Sequence, residues 1–168
     1  MPRFTRFAVR DLGLLALTIG AWRLDAKLAA GHPSTGGARA VGVATGLLTA
    51  LIGFATHEWG HLAGAVGSGG VVHEPERLSS VFLFFFDVEK SDRRSFLAMS
   101  YGGYAGSALA TLAIAALVPR DRLSGKVALT AATLGALVTL ALEVPTTVSV
   151  ARGGAFPSGG VYRGTPAR

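Results

Sequence analysis

Three runs of this chain, residues 40–67, 95–118 and 127–150, are apolar over at least the length needed to cross a bilayer, about 20 residues for a helix. Lipid offers no water to satisfy backbone N–H and C=O groups, so a segment that lies in it must be helical. Half of the 168 residues are hydrophobic and 15% are charged, against about 25% charged in soluble domains. The length allows one domain, residues 1–150, followed by a mobile basic tail, residues 151–168. The expected fold is an all-α polytopic membrane protein with about four transmembrane helices. The fourth is a shorter run, residues 12–22, with Arg10 and Asp11 before it and Arg23, Asp25 and Lys27 after it. It can span by snorkelling and local thinning, lie at the interface, or act as a signal peptide. No small-residue cleavage pattern follows it, which favours a retained helix.

Polar residues gather in the connections. Between the second and third spans, residues 68–94 contain Val71–Val72 and then an aromatic, β-branched stretch, residues 80–88. That stretch is too short for a spanning helix and reads as a strand. With Val71–Val72 it forms a short membrane-associated β hairpin, with Phe84 and Phe85 on the strand. With four spans and the N-terminus inside, the inside segments hold Arg3, Arg6, Arg10, Arg77, Lys90, Arg93, Arg94, Arg152, Arg163 and Arg168. The outside segments hold Arg23, Lys27, Arg39, Arg120, Arg122 and Lys126. The excess on the first side places the N-terminus in the cytoplasm. The net charge is +6, but the basic residues lie between apolar runs without an interleaved aromatic patch. Anionic lipid is therefore the expected partner, and nucleic acid is not. Arg far outnumbers Lys and Ala and Gly abound, the composition of a GC-rich bacterial genome, which points to a bacterial plasma (inner) membrane.

Ionisable residues inside membrane spans are costly and by default functional. The three long runs contain four of interest, His57, Glu58, His61 and Glu143. His57 and His61 are four apart, so on a helix they project from one face a turn apart, a separation that suits one tetrahedral zinc ion. Glu58, between them, fits a general base that takes a proton from the attacking water and returns it to the leaving amine. The sequence contains no cysteine, which rules out thiolate ligands. Glu143 is the candidate third ligand. His57 lies 16 residues into a run begun at Val41, and Glu143 lies 16 residues into a run begun at Val127. Both are therefore about 24 Å along helices of the same direction, at a common depth. Pro145 can open the helix beside Glu143, with Thr146 and Thr147 able to bond the freed carbonyls. Glycines at 60 and 64, and at 102 and 106, allow close helix approach, and Trp59 reads as a packing residue. Asp87, at the end of the aromatic strand, is the next candidate ligand after Glu143. His73 and Glu74 have no second His at motif spacing and read as loop residues, and His32 reads as solvated.

The segment His57-Glu58-Trp59-Gly60-His61 resembles the His-Glu-x-Gly-His motif of the site-2 protease family of intramembrane zinc metalloproteases. Gly102-Gly103-Tyr104-Ala105-Gly106-Ser107 is similar to that family's second, glycine-rich motif, with Ser107 where an Asn is usual and Tyr104 where a Pro is common. Leu142-Glu143-Val144 stands where the family has Leu-Asp-Gly. The resemblance covers residues 40–150. It implies Zn²⁺ held by His57, His61 and Glu143, with Glu58 catalytic and Gly102, Gly103 and Ser107 around the site. It also implies hydrolysis of a peptide bond in or near the transmembrane helix of a protein substrate. A helical substrate must be unwound before attack, and an edge strand at residues 80–88 could hold the unwound segment by backbone pairing. The alternative is a catalytically inactive metal-binding or helix-binding pseudoprotease. The sequence leaves substrate identity and oligomeric state open.

Overall fold

The structure is a computed structural model that describes residues 4–31, 35–159 and 162–163. His32 lies outside the described residues. Four helices account for most of them: α1 Thr5–Gly31, α2 Gly36–Gly67, α3 Arg93–Leu117 and α4 Leu123–Ala151. α2 is the centre of the bundle. It packs most extensively on α3, then on α4, and α1 rests on it from the side. Two of the helices, α2 and α4, are long and apolar enough to cross a membrane. α3 was expected to match them. It is 25 residues long, but Arg93, Arg94 and the polar stretch from Ser100 to Ser107 dilute its N-terminal half. The apolar side chains of all four helices extend outward as well as inward. Leu12 and Leu17 on α1, Leu47 on α2, Leu109 and Leu112 on α3, and Leu134 and Leu142 on α4 are all exposed.

α1 is longer than its apolar run, and Arg10, Asp11 and Asp25, three of the charged residues taken as its boundaries, find partners. Trp59 donates its Nε1–H to Asp11 at 2.8 Å, and the Ser124 hydroxyl donates to Asp25 at 2.8 Å. Arg10 donates to the carbonyls of Leu78 and Ser80, at 3.2 and 2.9 Å. Arg6 donates to the carbonyl of Glu76 at 3.0 Å and also to that of Pro75. At the start of α3, Asp92 caps the helix by accepting from the Ser95 N–H at 2.8 Å. These contacts place the α1 N-terminus, the α2 C-terminus and the α3 N-terminus at one end of the bundle.

That end also carries a small sheet in the order β1 (Val72–His73), β2 (Phe85–Asp87), β3 (Tyr162–Arg163). β1 and β2 form the expected hairpin, with Val72 opposite Phe86 and His73 opposite Phe85. The strand is shorter than residues 80–88. The segment before Phe85 bends instead of pairing, and the N–H of Leu83 is spent on Glu58. β3 comes from the segment expected to be a mobile tail. It pairs with β2 in parallel, Phe86 opposite Tyr162, so β2 is the central strand and both of its edges are occupied. Beneath the sheet lies a core of Phe7, Leu62, Val72, Leu83, Phe84, Phe86, Phe96 and Met99.

Candidate metal centre

His57, Glu58 and His61 occupy two successive turns of α2, near its C-terminal end. Glu143 reaches them from α4, as the common depth predicts. The three candidate ligand atoms lie within 4.8 Å of one another. His57 Nε2 and His61 Nε2 are 2.9 Å apart, and Glu143 Oε1 is 3.2 Å from the first and 3.3 Å from the second. A tetrahedral zinc ion with N and O ligands spaces its donors about 3.3 Å apart.

The outer nitrogens of the two rings determine what the inner ones can do. His57 Nδ1 lies 2.9 Å from the carbonyl of Gly103 and 2.9 Å from the Ser107 hydroxyl. His61 Nδ1 lies 2.8 Å from the carbonyl of Met99. A carbonyl only accepts, so each Nδ1 carries the proton and each neutral ring turns a bare Nε2 inward. Two lone pairs and a carboxylate oxygen then face one point. A single proton can bridge only two of these three atoms, whereas a metal ion accepts from all of them. Glu143 Oε2 is buried and has no hydrogen-bond partner among the described residues, and an unpaired buried carboxylate oxygen is costly. Both observations fit a cation held by His57, His61 and Glu143. Backbone carbonyls behind ring nitrogens are a recurrent way of orienting metal-ligating histidines.

Glycine makes this arrangement possible. α2 and α3 run antiparallel, so His57 meets Gly103 and His61 meets Met99, one turn apart on each helix. A Cβ on Gly60 would collide with the carbonyl of Gly102, and one on Gly102 with the carbonyl of Gly60. A Cβ on Gly103 would enter the His61 ring. Close backbone approach lets helix carbonyls serve as partners for the imidazoles. α4 passes through Pro145 without a break, and the Thr147 hydroxyl donates to the Glu143 carbonyl at 3.1 Å. The helix is therefore not opened beside the ligand.

The three side chains are graded in exposure, 3% for His57, 12% for His61 and 26% for Glu143. The exposed side faces a small cleft lined by Glu58, His61, Glu143, Phe82, Phe84, Phe86, Met99 and Tyr162. A position open to a cleft distinguishes a catalytic metal site from a closed structural one. Glu58 is buried, and its Oε2 accepts from the Leu83 N–H at 3.1 Å. Glu58 therefore shares the cleft with His61 and Glu143.

Of the remaining site residues, Ser107 bonds His57, Gly102 and Gly103 form the helix contact, and Phe84 lines the cleft. Phe85 does not line the cleft. Strand alternation turns it away from the side shared by Phe84 and Phe86, and it pairs with His73. Asp87 is fully buried away from the trio, bound to His73 Nε2 at 2.9 Å and to the N–H groups of Glu89 and Lys90. The site also contains residues with no sequence signal. The Met99 and Gly103 carbonyls and the Leu83 N–H belong to the backbone, and Tyr162 arrives from the far end of the chain. Burial pushes the Tyr162 phenol up to about 12, so it stays protonated at neutral pH. No family model, curated protein or solved structure matches this chain.

Proposed function

We propose that this chain is an integral membrane zinc metalloprotease of the site-2 protease type, which hydrolyses a peptide bond in or near the transmembrane helix of a protein substrate. The observation that carries the reading is the convergence of His57 Nε2, His61 Nε2 and Glu143 Oε1 on one point, with Glu58 in the cleft beside them. The membrane reading is supported by α2 and α4, both long and apolar enough to span. It is supported further by the exposed leucines on every helix, which lipid would cover. In this reading α1 and α3 also span, the N-terminus is cytoplasmic, and the sheet end, with the site, lies toward that side.

When bound, zinc would acidify a water to a pKa of about 7 and polarise the scissile carbonyl. The rest falls to the chain. His57 and His61 present neutral Nε2 atoms because Gly103, Ser107 and Met99 hold their Nδ1 protons. Glu143 supplies the one anionic ligand. Glu58 takes the proton of the attacking water and delivers it to the leaving amine. The Leu83 N–H holds one Glu58 oxygen, and the other has no hydrogen bond among the described residues.

The other reading is a metal-binding or helix-binding protein without hydrolysis. One feature favours it: Ser107 is engaged on His57 and does not face the cleft. Glu58→Gln separates the two. The protease reading predicts retained zinc and cleavage of a reconstituted transmembrane substrate reduced about 10²–10⁴-fold. Zinc binding without any Glu58-dependent cleavage supports the alternative.

A further inference from the structure

The sheet raises a difficulty for substrate binding. An extended peptide could be held on a free edge of β2, with backbone pairing supplying affinity and side-chain pockets supplying selectivity. Here one edge carries β1 and the other carries β3, the chain's own C-terminal segment. Tyr162 of β3 sits opposite Phe86 and lines the cleft that holds Glu58, His61 and Glu143. The segment is anchored twice on one ring. Phe156 and Tyr162 each lie 5.7 Å, centroid to centroid, from Phe96. Between them, Gly159 bonds Tyr162 in both directions, at 3.1 and 3.0 Å, with the positive φ of 87° that glycine tolerates.

We propose that this C-terminal segment is an intramolecular ligand of the site: β3 takes the strand position of an extended peptide substrate, and Tyr162 closes one wall of the cleft that a substrate aromatic side chain would enter. The inference rests on the metalloprotease reading and adds to it a substrate class and a control. The subsite is walled by Phe82, Phe84, Phe86 and Met99, a lining that favours an aromatic ring through stacking and sulfur contacts. A short pairing of two residues holds the segment only locally, but tethering raises its effective concentration to the millimolar range. A weak strand can therefore exclude weak ligands and yield to a substrate that pairs over a longer stretch.

The test uses the zinc-loaded full-length chain in detergent and two probes. Acetohydroxamate reaches a metal ion without needing the strand position or the subsite. A peptidyl hydroxamate with a phenylalanine side chain needs both. Acetohydroxamate should bind wild type, Tyr162→Phe and Tyr162→Ala equally. The peptidyl probe should bind Tyr162→Ala about tenfold more tightly than the other two, and a synthetic peptide of residues 154–168 should compete it off. Phe156→Ala loosens the same segment from outside the cleft and should give a gain in the same direction. Unchanged or weaker peptidyl binding in both alanine variants, with acetohydroxamate binding intact, overturns the inference and leaves the metal site standing. Failure of acetohydroxamate to bind wild type overturns the metalloprotease reading, and the inference with it.

Discussion

The two ends of the bundle each set an acid between helices, and the two acids are treated differently. At the end away from the sheet, Asp25 of α1 accepts from the Ser124 hydroxyl at the start of α4 and has Arg122 at 4.0 Å. The backbones there approach closely, with Gly46 of α2 set against Val127 and the Ser124 carbonyl. Asp25 and Ser124 complete one another there, although the buried Thr45 hydroxyl beside Gly46 has no hydrogen-bond partner among the described residues. At the sheet end, Glu143 meets two imidazoles whose protons are already committed to α3 carbonyls, and its second oxygen is unpaired among the described residues. The polar groups there face a common point and do not satisfy each other. The comparison separates an acid that holds helices together from one that waits for a cation, the first buried and the second half-buried.

Substitutions at the two ends should therefore separate stability from metal binding. Asp25→Ala leaves the Ser124 hydroxyl without its acceptor and should lower stability by about 1–3 kcal/mol, seen as a fall in thermal midpoint, with metal content unchanged. A loss of metal on Asp25→Ala would show that the ends are coupled. Ser107→Ala acts in reverse. It removes one of two partners of His57 Nδ1 and leaves the Gly103 carbonyl, so zinc affinity should weaken about tenfold in a competitive chelator titration, with little change in stability of the apo chain. The smallest effect lies at the sheet end but away from the metal centre, at the cap of α3. The Ser95 hydrogen bonds hold the Asp92 carboxyl below the usual carboxylate range. A depressed acid stabilises the fold above its unfolded value, about 3.9, and that contribution is lost as pH falls through the folded value. Asp92→Asn, which can still cap α3, should flatten the stability curve on the acid side and leave it unchanged at neutral pH. An unchanged acid limb would mean that the cap contributes nothing.

Much of the site was legible because helices make depth calculable. His57 and His61 announce one face by their spacing, and Glu143 is found by counting along a second helix of the same direction. The sequence placed Asp87 next after Glu143 and could not show that Asp87 is already engaged by His73 and by the N–H groups of Glu89 and Lys90. Nor could it show that Met99 and Gly103 hold the imidazoles, because backbone carbonyls carry no residue identity. The charged flanks of the first apolar run hid the length of α1, whose Arg6, Arg10 and Asp11 are satisfied by loop carbonyls and Trp59. The aromatic stretch 80–88 has the composition of a long strand, but Glu58 takes the Leu83 N–H and shortens it to Phe85–Asp87. Tyr162 lies in a glycine- and proline-rich tail, and nothing local in the sequence predicts a pairing of two residues with a strand more than 70 positions earlier.

The central claim is that His57, His61 and Glu143 form one zinc site. Its most direct test is the metal content of the purified, zinc-reconstituted chain in detergent, measured for wild type, His57→Ala, Glu143→Ala and Asp25→Ala. The account predicts one zinc per chain in wild type and in Asp25→Ala, none in His57→Ala, and strongly reduced occupancy in Glu143→Ala. Wild type without zinc, or Glu143→Ala with full occupancy, would contradict it.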